Sequence, residues 1–218
     1  AGAREVYLVE EAMAAAIGSG LLIEEASGNM IVDIGGGTTN IAVMSLGDVV
    51  IDNTIKVASD EMSVDIANYV KDKYNILIGE RTAEDVKIAI GSVIPLKEEK
   101  EVILQGRDLV NGLPKSIRVS SVEIREAIMP SLAIITEAVK EAIEDTPPEL
   151  VRDLLSSGLH LAGGGSMIKG LDKYWKKELN IPVKIVDDPI SAVARGTAQM
   201  LDHIDLLDKV QTSWKELV

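Results

Sequence analysis

The chain has 218 residues, 46% of them hydrophobic and 26% charged, which is the balance of a folded globular protein and not of a disordered one. Its formal net charge of -13, with no basic cluster to offset it, repels a phosphate backbone, so nucleic acid is not an expected partner. There is no cysteine, and His160 and His203 are the only histidines, so disulfides, thiolate metal sites and multi-histidine metal centres are all excluded.

Aromatic residues make up 3% with no Phe, so the core must be built from Ile, Leu, Val, Met and Ala. No run approaches the roughly 20 apolar residues of a membrane span, and the opening residues lack a secretory leader. Residues 6–9 read as a strand that the chain enters in mid-fold. Residues 10–18, rich in Ala and Met, predict a tightly packed helix closed by Gly18 and Gly20. Strands are expected at 30–33, 40–45 and 49–57, separated by the glycines at 35–37 and by Gly47.

From Asp60 the period changes to a helical one, with Met62, Ile66, Tyr69 and Val70 on one face. A further helix is expected from a Thr82 cap through Val86 and Ile90 to Gly91. Residues 101–119 read as two strands around a polar Asn111-Gly112 loop, so the stretch from 58 to about 120 looks like a small α+β insertion in a larger domain. A long amphipathic helix follows over 122–144 with a kink at Pro130, and Pro147-Pro148 open the next helix at its tolerated first turn. A strand over 159–162 leads into glycines 163–165 and a helix. Another over 183–186 leads through Pro189 into a helix over 190–203 and a polar helical tail. This alternation predicts an α/β body with a mixed sheet.

Two segments carry chemistry. In Val32-Asp33-Ile34-Gly35-Gly36-Gly37-Thr38-Thr39-Asn40 a glycine turn joins two strands. Its bare backbone can aim successive N–H groups at phosphate oxygens. Asp33 at the end of the strand can hold water around a Mg²⁺ ion, and the Thr38 and Thr39 hydroxyls can contact phosphate or orient water. The competing reading is a tight hairpin whose glycines serve only the turn. In Leu161-Ala162-Gly163-Gly164-Gly165-Ser166-Met167-Ile168 the same lack of side chains would let a base or ribose lie against backbone, with Met167 as an apolar contact. A plain strand-to-helix turn is its alternative.

These motifs, with Val9-Glu10-Glu11-Ala12-Met13-Ala14-Ala15-Ala16-Ile17-Gly18, Ile78-Gly79-Glu80-Arg81-Thr82-Ala83-Glu84 and Thr146-Pro147-Pro148-Glu149-Leu150, resemble MreB within the actin, Hsp70 and sugar-kinase superfamily. The resemblance is to the C-terminal part of such proteins and implies a ribonuclease-H-like, actin-like ATPase core with a small α+β subdomain inserted. It implies that 22–57 and 122–187 form the core of one half and 58–121 its small subdomain. Residues 1–21 and 188–218 would then belong to hinge helices and the edge of the other half. It assigns Gly35, Gly36, Gly37, Thr38 and Thr39 to phosphate, and Gly163, Gly164, Gly165 and Met167 to the adenosine. Glu84 and Lys87 would reach the nucleoside, and Asp33 would hold Mg²⁺ through water. Glu11, with Glu10 as the alternative, would polarise the attacking water with help from Thr38.

The implied function is an ATP-binding cytoskeletal subunit that forms filaments under the cell membrane and maintains cell shape. Self-association and membrane-anchored morphogenesis partners of the RodZ kind go with it, and so does a cytoplasmic location at the inner membrane face. A sugar or acetate kinase of the same superfamily is the alternative. Ala12, Asn40 and Ala58-Ser59 depart from the family pattern, which has Pro, an acid and a glycine pair there. The first phosphate motif of the family and its membrane-attachment segments have no counterpart in these residues, so weak ATP binding and little hydrolysis are expected of this chain by itself.

Overall fold

The computed structural model describes Gly2 and residues 6–202. The strands are β1 (Asn29–Ile34), β2 (Thr39–Ser45), β3 (Asp48–Ile55), β4 (Ile76–Leu77), β5 (Glu101–Asp108), β6 (Pro114–Ser120), β7 (Leu159–Ala162) and β8 (Val183–Ile185). The helices are α1 (Glu11–Gly18), α2 (Ser59–Tyr74), α3 (Glu80–Ile90), α4 (Ser121–Glu144), α5 (Pro148–Ser157), α6 (Leu171–Leu179) and α7 (Ala192–Asp202).

The main sheet has five strands in the order β3-β2-β1-β7-β8. β1 pairs antiparallel with β2 and parallel with β7, so the mixed α/β body expected from the sequence is what forms. β1 and β2 are buried at every position, as continuous apolar runs should be when both faces of a sheet are covered. β3, at the edge, alternates exposed and half-buried residues.

The period-2 alternation of β1 divides the interior in two. Met30, Val32 and Ile34 face a large core that includes Met62 and Ile66 of α2, Ile124, Ile128 and Leu132 of α4, and Trp175 of α6. Ile31, with Ala42 and Met44 of β2, faces a second core made with α1 and α7. The indole N–H of Trp175 donates to Thr136 Oγ1 at 2.9 Å, which satisfies a polar atom that burial would otherwise penalise.

α1 and α7 cross backbone to backbone. A Cβ on Gly18 would lie 1.9 Å from the Ala192 carbonyl oxygen, and one on Gly196 would lie 1.8 Å from that of Ala14. Gly18 is therefore a packing residue of the helix and not its cap.

The second sheet is antiparallel, β4-β5-β6, and packs with α2 and α3. Its Ile76, Leu104 and Val119 join the large core, so the small unit and the main sheet share one interior. A capping box of Ser120 and Glu123 starts α4, which runs unbroken through Pro130.

Several expectations are corrected. Residues 6–9 form no strand, and Val6 is 74% exposed, because no neighbouring strand among the described residues pairs with them. α3 begins at Glu80 after a Gly79 cap, so Thr82 lies inside its first turn. The glycines at 163–165 lead into a single 3-10 turn, Gly164–Met167, before α6, and another, Pro189–Ser191, precedes α7. β4, with two residues, is too short to leave a periodic signal. His203 and the polar tail lie outside the described residues.

The α1–α7 crossing yields a stability test. Gly18→Ala should cost about 2 kcal/mol or more through overpacking and lower the melting temperature by roughly 5 °C in thermal denaturation. An unchanged melting temperature would mean that the two backbones do not touch.

Candidate functional site

β1 and β7 run parallel side by side, with Asp33 opposite Ala162, so the glycine turns that follow them emerge at the same edge of the sheet. Their backbones lie against each other. Gly163 has a φ of +79°, and a Cβ there would be 2.3 Å from the Ile34 carbonyl oxygen and 2.4 Å from Asp33 Oδ1. At Gly165 a Cβ would be 2.4 Å from Ile34 Cγ2. Gly164, between them, has nothing within 4 Å of its Cβ position. Two of the three glycines thus bring the turns together, and the third faces open space.

That space is a cleft of about 540 Å³, within the roughly 300–1,000 Å³ range of small-molecule sites. Gly35 and Gly36 line it from the first turn, and Gly164, Gly165 and Met167 from the second. Glu84, Lys87 and Ile88 of α3, with Gly91 just past its end, form another wall, Ser59, Asp60 and Met62 of α2 a third, and Ile168, Lys169 and Ile190 complete it. Gly37, Thr38 and Gly163 belong to the same two turns but are not among the lining residues.

The first turn is closed by Gly35 N–H donating to the Thr38 carbonyl at 2.9 Å. α2 starts directly on it: Ser59 N–H donates to the Gly35 carbonyl at 3.2 Å and Asp60 N–H to that of Gly36 at 2.9 Å. Thr39, expected to offer its hydroxyl to phosphate, is fully buried and donates it to the Val57 carbonyl at 2.8 Å. Its role is to tie β2 to the end of β3, and only Thr38 of the pair remains half-exposed beside the cleft.

Asp33 is 4% exposed at the end of β1. Burial, and after it the charge of Glu11, pushes its carboxyl from the usual 3.8 up to about 6. Glu11, exposed at the start of α1, accepts a hydrogen bond from Asn40 Nδ2 at 2.9 Å. Asn40 in turn accepts from the Thr54 hydroxyl at 2.9 Å and stands opposite Asp33 in the β1–β2 register. Asn40 therefore places a neutral amide between two carboxylates where an acid was the family expectation. Among the described residues, no group of three or more His, Asp or Glu is arranged to hold a metal directly.

Lys87 is 6% exposed, and its ammonium lies 2.6 Å from the Ser59 carbonyl, 2.6 Å from Ser59 Oγ, 2.9 Å from Ser63 Oγ and 2.6 Å from Glu84 Oε2. Burial pushes the Glu84 carboxyl up, but the hydrogen bonds from Lys87 and Ser63 outweigh it and hold the group below its usual value. Ser59, Ser63 and Asp60 were not foreseen from the sequence. Ser59 stood out there only as a departure from the family's glycine pair, and nothing marked Asp60 or Ser63 as site residues.

The sequence matches the family model described as MreB/Mbl protein over residues 1–209. The chain belongs to the MreB/Mbl family. Among curated members, it is 48% identical to the cell shape-determining protein Mbl of Bacillus subtilis strain 168, covering 97% of this chain and 64% of that protein. It is 47% identical to the cell shape-determining protein MreB of Escherichia coli K12, covering 94% of this chain and 59% of that protein. The chain thus spans under two thirds of the length of these MreB/Mbl relatives.

Among solved MreB structures, MreB5 of Spiroplasma citri bound to ADP superposes with a TM-score of 0.91 at 43% identity, over 93% of this chain and 62% of that one. The same protein bound to AMPPNP gives a TM-score of 0.87 over 90% and 59%. A MamK double helical filament shares the fold at 24% identity, with a TM-score of 0.74 over 89% of this chain and 59% of that one. The actin-like fold class is thereby established.

The buried Asp33 makes a prediction about pH. Its folded-state pKa is raised, so the folded chain holds the proton more tightly and loses stability as pH rises from about 3.8 through about 6. In Asp33→Asn that loss is absent. Measured by urea unfolding, the variant should gain ~2 kcal/mol on the wild type between pH 4 and pH 7. A difference that stays constant across this window would show that Asp33 ionises normally.

Proposed function

We propose that the cleft binds ATP with Mg²⁺ and that the chain is the nucleotide-binding portion of an actin-like cytoskeletal protein maintaining cell shape. The observation that carries this is the meeting of two bare glycine turns on one cleft whose other walls include Met62, Ile88 and Ile190. The backbone of residues 35–37 suits phosphate oxygens, and the apolar wall around Met167 suits a nucleobase. MreB5 of Spiroplasma citri, bound to ADP and to AMPPNP, supports the same ligand class here.

In this proposal Gly35, Gly36, Gly37 and Thr38 face the phosphates. Gly163, Gly164, Gly165 and Met167 face the nucleoside, with Glu84 and Lys87 in the adjoining wall. Asp33 fits a water-mediated Mg²⁺ site, because a nearby divalent charge would restore the ionised form that burial disfavours. Bound Mg²⁺ supplies neutralising charge to phosphate oxygens. Glu11, held by Asn40, draws a proton from water on the open side of the turn, and Thr38 orients that water.

The architecture proposed around this site has 22–57 and 122–187 as the core of one half, 58–121 as its small subdomain, and 1–21 and 188–218 as hinge elements. Self-association into filaments is proposed by analogy with the MamK double helical filament, which shares the fold. Location at the inner face of the membrane, with anchored partners of the RodZ kind, is part of the same proposal and is supported only by similarity to relatives described as cell shape-determining. No described helix is long and apolar enough to cross a membrane.

Gly164→Val tests the cleft. A Cβ there meets nothing within 4 Å, so the variant should fold as the wild type does while its side chain fills the space a nucleoside needs. Titration calorimetry with Mg-ATP should show affinity falling by at least about tenfold, a difference of ~1.4 kcal/mol. Equal affinities for variant and wild type would remove the cleft from the function.

A further inference from the structure

We infer that Arg195 of α7 is a positioning residue for the second glycine turn. Its guanidinium holds the turn at 187–191, and that turn fixes the Gly163 backbone and carries Ile190 to the cleft. Nε donates to the Gly18 carbonyl at 3.1 Å, Nη1 to that of Asp188 at 3.0 Å and Nη2 to that of Asp187 at 2.7 Å. Nη1 also donates to the Ser191 hydroxyl and lies 3.2 Å from Asp188 Oδ2, and Ser191 donates its own hydroxyl to the same carboxylate.

The turn needs such a hold. Asp188 has a φ of +45°, in the left-handed region that costs a residue with a Cβ some free energy. Ile190 is 68% exposed, so burial does not anchor it. Gly163 N–H donates to the Pro189 carbonyl at 2.9 Å, and Ile190 lines the cleft together with Gly164, Gly165 and Met167. Arg195 thus acts on the cleft from behind, through the backbone of the turn and then through Gly163. Three separate nitrogens of one rigid plane serve three carbonyls, two on the turn and one at the end of α1. A lysine ammonium offers its donors from a single point on a flexible stem and cannot span them. The consequence for a nucleoside rests on the function proposed above, whereas the hold on the turn does not.

Arg195→Met keeps much of the apolar stem and removes the donors, and Arg195→Lys keeps the charge without the fork. In this chain without ligand, amide exchange at Gly163 and Ser191 should speed up on the order of tenfold in both variants, and about threefold in Ser191→Ala. Exchange at Ile41, in the middle of the same sheet, should stay at the wild-type rate. Calorimetry with Mg²⁺ present should show affinity for ADP falling on the order of tenfold in both Arg195 variants, with affinity for tripolyphosphate unchanged, because the affected turn faces the nucleoside.

Unchanged exchange at Gly163 and Ser191 would overturn the inference. So would acceleration at Ile41 in step with them, which would mean general loosening, or wild-type protection in Arg195→Lys, which would mean that charge alone suffices. Tripolyphosphate binding that weakens along with ADP would overturn it too. If Arg195→Met does not fold, Ser191→Ala carries the same comparison. Should the wild-type chain fail to bind ADP, the proposed function fails, and amide exchange alone still decides whether Arg195 holds the turn.

Discussion

The backbone of Gly163 approaches the Ile34 carbonyl and the Asp33 carboxylate so closely that no side chain fits between them. Parallel pairing of β1 with β7 sets this distance, because strands in a ladder lie about 4.8 Å apart and the turns leaving them inherit that spacing. Glycine at 163 and 165 lets the turns touch, and the cleft opens above the contact. Any side chain there would push the second turn off the end of β1 and separate the two surfaces that share the cleft.

Around that contact the site is braced from both faces of the sheet. On one face, α1 brings Glu11 to Asn40, and α1 is itself fixed by its glycine crossing with α7. On the other, α2 starts on the carbonyls of Gly35 and Gly36, and Lys87 of α3 donates to its Ser59 carbonyl. The period-2 alternation of β1, which sends Met30, Val32 and Ile34 to one core and Ile31 to the other, makes both supports converge on the same strand. A movement of either support would therefore reach Asp33 and the turn beside it.

The charge arrangement follows from this packing. Two carboxylates, Asp33 and Glu11, stand near the turn in a chain of net charge -13. The Asn40 amide between them adds no third charge, and the Thr54 hydroxyl fixes which end of the amide meets Glu11. Such a site favours an anionic ligand only when backbone N–H groups and a cation accompany it, which agrees with the exposure of Gly36 and Gly37.

Much of this was legible in the amino-acid order because it rests on local rules. Continuous Val, Ile and Met runs marked β1 and β2, helical periods marked α2 and α4, a strand-glycine-strand order marked the first turn and a strand-glycine-helix order the second. Local rules failed where an element exists only through its neighbours. β4 is two residues that become a strand by pairing with β5, and residues 6–9 have strand-like composition but nothing to pair with. Only tertiary structure decided that Gly163 and Gly165 pack while Gly164 stays open, that Thr39 is buried with its hydroxyl on the Val57 carbonyl, and that Lys87 faces Ser59. Those outcomes depend on distances between segments tens to over a hundred residues apart, and sequence spacing carries no information about them. The sequence by itself determined the family, the α/β body and the two glycine turns, whereas the shared cleft and the division of labour among its residues came from how the strands were paired.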